Sequence, residues 1–189
     1  MFSRDGYHFS RPCRDSIIHA SLVKGTWDRG YVQSVGGVCI INGDELWIYY
    51  AGFGGDENYS NQSWFTNGIY RNGATGLAKL RRDGFVSLEG EGCLTTRKLT
   101  CRGKKSLHIN ADGCITADIL SETGEVLARS VPFNGNSTNA ELQFADYDIA
   151  SLNDTVFRIH FHVSGALYAF GFADKSGDFG GAHAAGVVK

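Results

Sequence analysis

Val35 to Ile41 and Leu46 to Gly52 are two apolar runs separated by a short polar break at Asn42-Gly43. An Asn-Gly between two β-rich runs predicts a hairpin, because both central residues of a type I′ turn need φ > 0. The first run is apolar on both faces and the second is aromatic-rich, so the pair reads as the inner hairpin of a sheet covered on both sides. Directly ahead of it stands Gly25-Thr26-Trp27-Asp28-Arg29-Gly30-Tyr31. Leu77 to Leu80 and Phe85 to Leu88 predict a second hairpin around Arg82-Asp83-Gly84. Between Phe53 and Gly76 runs a Gly/Asn/Ser-rich stretch with Trp64, Phe65 and Tyr70, about twice the length at which structureless loops become uncommon. Its aromatics fold back over the sheet or cover a pocket. Residues 1–90 thus read as a meander of strands, the pattern of a single propeller blade.

After Glu91 the rhythm changes. Cys93 to Leu99 and Ser106 to Asn110 are strand-like. In the second, Leu107 and Ile109 share one face while His108 and Asn110 share the other, which predicts a strand with one wet side. Asp112-Gly113 reads as a turn into Cys114 to Leu120, and Glu122 to Glu125 as another. Pro132 to Asn139 reads as a loop and Ala140 to Phe144 as a short strand. Val156 to Val163 and Ala166 to Phe172 read as a hairpin around Ser164-Gly165. No segment keeps a 3.6-residue period, and short strands between glycine turns predict an antiparallel β-sandwich over residues 91–189. The Gly/Ala-rich tail after Asp174 reads as poorly ordered.

Composition narrows the function classes. The net charge of -2 supplies no basic field for nucleic acid. No apolar run approaches the ~18 residues of a membrane span, and the polar opening Met1 to Gly6 has no signal-peptide core. The chain opens inside what reads as a structured motif, so a missing upstream part is expected. The five cysteines, Cys13, Cys39, Cys93, Cys101 and Cys114, are odd in number and lack CxxC spacing. They read as reduced core thiols, Cys39 lying within an expected buried strand. The Asn-x-Ser/Thr triplets at Asn58, Asn61, Asn136 and Asn153 matter only for a secreted eukaryotic chain.

Candidate chemistry is sparse. His160 and His162 share one strand face and bind a metal if a third ligand approaches, but Arg158 on the same side is a poor neighbour for a cation. No metal or cofactor is expected. Gly-x-Ser-x-Gly is absent, and Cys-His catalysis has no local support. Glycoside hydrolysis needs two carboxylates across the scissile bond. Most acids of residues 1–91 (Asp5, Asp15, Asp44, Glu45, Asp56, Glu57, Asp83, Glu89 and Glu91) sit in turns. Asp28 differs: it follows Trp27 and precedes an apolar strand. Either Trp27 stacks on a sugar and Asp28 faces a pocket, or Trp27 packs between sheets and Asp28 bonds backbone amides.

Ser3-Arg4-Asp5-Gly6-Tyr7-His8-Phe9 resembles the Asp-box turns of sialidase-like propellers, with the aromatic anchoring the turn in the core and an echo at Arg82 to Phe85. The run Ser3 to Pro12, with Gly25 to Gly30 and Leu46-Trp47-Ile48-Tyr49-Tyr50-Ala51-Gly52, is similar to bacterial proteins related to glycoside hydrolase family 32. Leu80 to Leu88, Leu94 to Leu99, Leu107 to Gly113, Phe157 to Phe161 and Leu167 to Phe170 extend the resemblance over nearly the whole chain. That family implies a five-bladed propeller followed by a β-sandwich, acting on glycosidic bonds. The resemblance covers only the last blade and the sandwich, so no catalytic residue is carried over. It implies a C-terminal fragment of a glycoside hydrolase-like protein, inactive alone. Trp27, Asp28 and Tyr31 would line the rim of a carbohydrate pocket. The expected partners are the missing blades, or other copies through exposed sheet faces. The rival expectation is a non-catalytic carbohydrate-binding or structural sandwich, using an exposed aromatic such as Tyr147 or Tyr168. Tyr168 shares a face with Phe170 and Phe172, which argues for the core instead.

Overall fold

The computed structural model describes residues 2–3, 5–11, 13–56 and 68–174, with the backbone alone described at residues 2 and 36–38. Trp64, Phe65, Glu57, Asn58, Asn61 and the tail after residue 174 lie outside the described residues. The chain is all-β. It has ten strands in antiparallel sheets, one 3-10 turn at Ile149–Leu152 and no α-helix among the described residues. β1 (Phe2–Ser3) pairs with β2 (Phe9–Ser10). β3 (Tyr31–Asn42), β4 (Glu45–Phe53) and β5 (Gly73–Arg81) form a three-stranded sheet in that order. The third sheet holds β6 (Leu88–Thr95), β7 (Ser106–Ser121), β8 (Val126–Arg129), β9 (Phe133–Leu142) and β10 (Phe157–Ala173). Its order is β6-β10-β7-β8, with β9 also on β7.

Two compact units divide the contacts, Met1–Val38 with Ile48–Ala78, and Cys39–Trp47 with Lys79–Lys189. They interleave in sequence, and the division expected near residue 90 falls inside β6.

The five-stranded sheet is built on two long strands, and here the structure corrects the expected turns. Asp112-Gly113 and Ser164-Gly165 are not hairpin turns. β7 and β10 run straight through them and stay paired from Ser106↔Ala173 to Ser121↔Phe157. Gly113 pairs Gly165, Gly165 also pairs Gly90, and Gly113 also pairs Gly135. All four have φ between +117° and +151°, a region costly for residues with a side chain. This glycine row is a crease across four strands. Phe161 and Phe170, nine residues apart on β10, would be about 30 Å apart on a straight strand at about 3.3 Å per residue. Their ring centroids are 5.1 Å apart, and those of Phe157 and Phe172 are 5.6 Å apart. The sheet therefore folds over on itself, and its two halves bury one another.

That fold-over makes the core. Leu107, Ile109, Ala111, Ile115, Ala117, Ile119, Ile159 and Phe161 are fully buried within it. Each of the Leu, Ile and Phe side chains contributes about 1.5–3 kcal/mol by leaving water. Pro132 to Asn139, expected as a loop, is mostly strand β9, whose Gly135 continues the crease.

The wet side expected for His108 and Asn110 is also corrected, since both are buried. His108 bonds Ser106 Oγ at 3.0 Å and Asn139 Oδ1 at 2.8 Å. Asn110 accepts from Arg81 Nε at 2.6 Å and donates to the Arg82 carbonyl at 2.5 Å. Arg81 also donates to Asn136 Oδ1 at 2.6 Å and to the Ala111 carbonyl at 3.1 Å. Asn110 on the outer face of β7 is thus met by the residues that close β5, and His108 by Asn139 of β9. Arg81 also stacks on Tyr168, its guanidinium 4.7 Å from the ring centroid. A bulge between Leu167 and Ala169 breaks the alternation on β10. Tyr168 therefore does not share the core side with Phe170 and Phe172, which pack on the core cluster.

The turn between β3 and β4 is Gly43-Asp44, one residue later than expected. Gly43 has φ +60° and Asp44 is not left-handed, the φ signs of a type II′ turn. Phe85 to Leu88 does not pair with β5, because β6 joins β10 instead. Asp83, not Gly84, takes the left-handed position of that turn, at φ +54°. Cys39, on an outer strand of its sheet, is exposed, as are Cys13 and Cys93, and no cysteine is buried. The Asp5 turn forms as a polar motif, with its carboxylate accepting from the Tyr7 and His8 amides at 2.9 and 2.8 Å. These bonds and the His8 ring hold the Asp5 carboxyl well below the usual range. Its aromatic does not anchor in a core: Tyr7 and Phe9 are exposed.

Candidate functional site

Trp27 is placed by a chain of local bonds. Gly25 takes φ +86°, and the Thr26 amide and hydroxyl both donate to the Val23 carbonyl, at 3.2 and 2.8 Å. The Gly30 amide then donates to Phe53 O at 2.7 Å, tying the end of the stretch to the end of β4. Between these ties the indole lies across the three-stranded sheet at two glycines. A methyl group on Gly52 would sit 2.3 Å from Trp27 Cζ3, and one on Gly76 would sit 2.7 Å from Cη2. Tyr50 flanks the ring at 5.7 Å between centroids. The sequence thus reserves a side-chain-free bed for this indole, which still keeps 42% of its surface exposed.

A shallow depression of about 420 Å³ opens beside it, lined by Thr26, Trp27, Gly54, Gly55, Asp56 and Asn72. Asn72, left-handed at φ +54°, donates through Nδ2 to the Gly55 carbonyl at 2.9 Å. The Gly54 and Gly55 amides donate to Asn72 O and Arg71 O at 3.2 and 3.0 Å. Arg29 Nε donates to Gly54 O at 3.0 Å, and Arg71 Nη1 holds Asp56 Oδ2 at 2.8 Å. An aromatic platform beside an amide, a carboxylate and backbone groups, in a concave site, suits a polar ligand with an apolar face.

Of the three residues expected at a sugar rim, the depression takes Trp27 alone. Asp28 is half-buried outside it. Tyr31 packs edge-on to Tyr70 at 5.2 Å, with Phe53 at 6.2 Å from Tyr31 and 5.7 Å from Tyr70. Sequence reasoning missed Asp56 and Asn72. The available signal was Gly54-Gly55-Asp56 directly after an aromatic strand, and an Asn before Gly at the start of β5. Asp56 is the one carboxylate among the described lining residues.

The paired histidines occupy a different setting, the outer face of the five-stranded sheet. His160 and His162 meet edge to face at 4.7 Å. His160 Nδ1 bonds Thr95 Oγ1 at 2.6 Å, and His162 Nε2 bonds Asp118 Oδ2 at 3.0 Å. Arg129 grips Asp118 with Nε and Nη2 at 2.6 and 2.9 Å. That guanidinium, aided by His162, brings the Asp118 carboxyl down to about 2. The cation there is supplied by arginine, and among the described residues no group of three His, Cys, Asp or Glu side chains is arranged to hold a metal ion. Tyr147 packs against the core cluster and Tyr168 lies under Arg81, so neither is a free platform.

Comparison of the chain with protein-family models, with curated proteins and with solved structures gave no match.

Proposed function

We propose that this chain is the C-terminal part of a glycoside hydrolase-like protein, a last propeller blade followed by a β-sandwich. In this reading it contributes structure and pocket rim, not catalytic carboxylates. The observation that carries the reading is β4. Ile48 and Tyr50 point to one side of this central strand and Tyr49 and Ala51 to the other, yet all four stay only half-buried. On the neighbouring strands Val35 and Leu77 keep 47% and 40% of their surface exposed. A sheet with apolar residues on both sides of its middle strand is suited to neighbours on both sides, as a blade has within a ring. Trp27, Asp28 and Tyr31 then lie on the stretch that reaches the pocket rim, with carbohydrate as the ligand of the complete protein.

The purified chain should turn over neither aryl-glycosides nor fructans, and it should self-associate and bind an apolar dye. Hydrolysis by the chain alone, or a monomer in sedimentation with no dye binding, overturns the proposal.

The depression at Trp27 favours a second reading, a non-catalytic carbohydrate-binding module. Titration with oligosaccharides should then change tryptophan fluorescence saturably, and Trp27→Phe should remove the change. An unresponsive signal across gluco-, fructo- and galacto-oligosaccharides sinks this reading.

A further inference from the structure

Among the described residues no strand pairs with the second side of β6. β6 lies at the edge of the five-stranded sheet, paired to β10, and every residue from Leu88 to Thr95 is exposed. An edge strand presents unpaired N–H and C=O groups, a template for another strand. The register with β10 sets its two sides. Leu88, Gly90, Gly92 and Leu94 lie opposite Leu167, Gly165, Val163 and Phe161, on the core side. Glu89, Glu91, Cys93 and Thr95 lie on the outer side.

A hollow of about 400 Å³ opens beside β6, lined by Val86, Leu88, Leu94, Leu167, Tyr168 and Phe170. Val86 keeps 73% of its surface exposed, Leu88 44% and Leu94 38%. On the outer side, Glu89 accepts from Ser87 Oγ at 2.6 Å, and among the described residues no cation pairs with Glu89 or Glu91. Their cross-strand neighbours are the uncharged Ala166 and Ser164. The edge therefore alternates, two residues apart, between carboxylates on one side and an apolar trough on the other.

We propose that the β6 edge docks an extended segment of a partner protein in which basic residues alternate with apolar ones. Backbone pairing to β6 places the basic side chains over Glu89 and Glu91. The same pairing turns the apolar ones into the trough, because successive residues of a strand face opposite ways. A second copy of β6 fits less well, since antiparallel self-pairing gathers the Glu89 and Glu91 carboxylates of both copies along one seam. The proposal does not depend on the glycoside hydrolase reading.

The test uses the full chain and a labelled, end-blocked ten-residue peptide alternating lysine and valine. Its controls are the glutamate–valine counterpart and a lysine–valine peptide interrupted by two prolines. The lysine–valine peptide should bind, with amide hydrogen exchange slowed at residues 88–95. The glutamate–valine peptide should bind at least about tenfold more weakly. The proline peptide should not bind, since it cannot complete the ladder. Glu89→Gln/Glu91→Gln, an exposed pair of changes, should weaken the lysine–valine peptide about fivefold with the circular dichroism unchanged. Equal affinity for both charge patterns, unchanged affinity in the double variant, protection confined to other strands, or no binding each overturn it. Protection at residues 88–95 that rises with protein concentration in the absence of peptide overturns it in favour of a second copy.

Discussion

The three-stranded and five-stranded sheets are written in similar amino acids and end up differently buried. β7 and β10 carry a row of core residues with no exposed surface, Leu107, Ile109, Ile115, Ile119, Ile159 and Phe161 among them. β4 is as apolar, Leu-Trp-Ile-Tyr-Tyr-Ala-Gly-Phe after its first residue, but buries only Leu46 and Gly52. Apolar content does not separate them. A sheet needs a second layer to bury a face. The five-stranded sheet supplies its own by creasing at Gly90, Gly165, Gly113 and Gly135. The glycines of the three-stranded sheet do other work, Gly52 and Gly76 bedding the Trp27 indole.

The crease is the first place to break this comparison. A Cβ on Gly113 would lie 2.4 Å from Ser164 O, and one on Gly165 would lie 2.2 Å from Asp112 O, both at positive φ. Backbone cannot give way as a side-chain tip can. Gly113→Val should cost more than about 4 kcal/mol and leave the five-stranded sheet unfolded at room temperature. Loss of slow-exchanging amides from β7 and β10 is the measurement. A folded variant with native exchange there would show that the glycine row is not what doubles the sheet.

Truncation sharpens the contrast in burial. Phe161→Ala, at a fully buried site against Phe170, should cost about 3–4 kcal/mol in urea unfolding. Tyr49→Ala, on the half-buried β4, should cost about 1–2 kcal/mol, because less area returns to water. Equal losses would mean that the three-stranded sheet already has its second layer in solution. Arg81→Met should cost about 3 kcal/mol or less. It removes three donors and leaves the Asn110 carbonyl group, on a residue with no exposed surface, without its Arg81 partner. Its read-out is a lowered urea midpoint with an unchanged slope.

Strand class was legible in the sequence because alternation and glycine punctuation are local. The runs around Leu107, Ile115, Ile159 and Phe170 read as strands and form strands, and the first hairpin reads to within one residue of its turn. Continuity was not legible. A glycine that turns a chain and a glycine that creases a strand look alike until its cross-strand partners are known, and here each partner is another glycine far off in sequence. The faces of His108 and Asn110 failed for a related reason. Polar residues at every second position mark a wet face unless side chains from elsewhere meet them, as Arg81 meets Asn110 and Asn139 meets His108. Tyr168 failed through a one-residue bulge, which shifts every later side chain to the other side. At the depression, Trp27 stood out by size, whereas Asp56 and Asn72 were hidden in a glycine-rich connection whose ends meet only in space.

A pH-dependent effect is expected on the outer surface of the five-stranded sheet, where a charge is buried instead of a hydrocarbon. Asp118 keeps 3% of its surface, and the Arg129 guanidinium lowers its carboxyl from 3.8 to about 2. A carboxyl depressed in the folded state stabilises that state wherever it is ionised in both states, so the contribution is complete above about pH 5. It shrinks as pH falls toward about 2, because the unfolded chain then binds a proton that the folded chain refuses. The shift corresponds to about 2 kcal/mol, reduced somewhat by the solvent around the exposed arginine. Asp118→Asn should therefore be less stable than the parent at pH 6, and the two unfolding midpoints should converge as pH approaches 2. Parallel curves across that interval would remove the Arg129–Asp118 pair from the account of acid stability. Tyr49→Ala, in the other sheet, should show no convergence of this kind, since the group it removes does not titrate in that range.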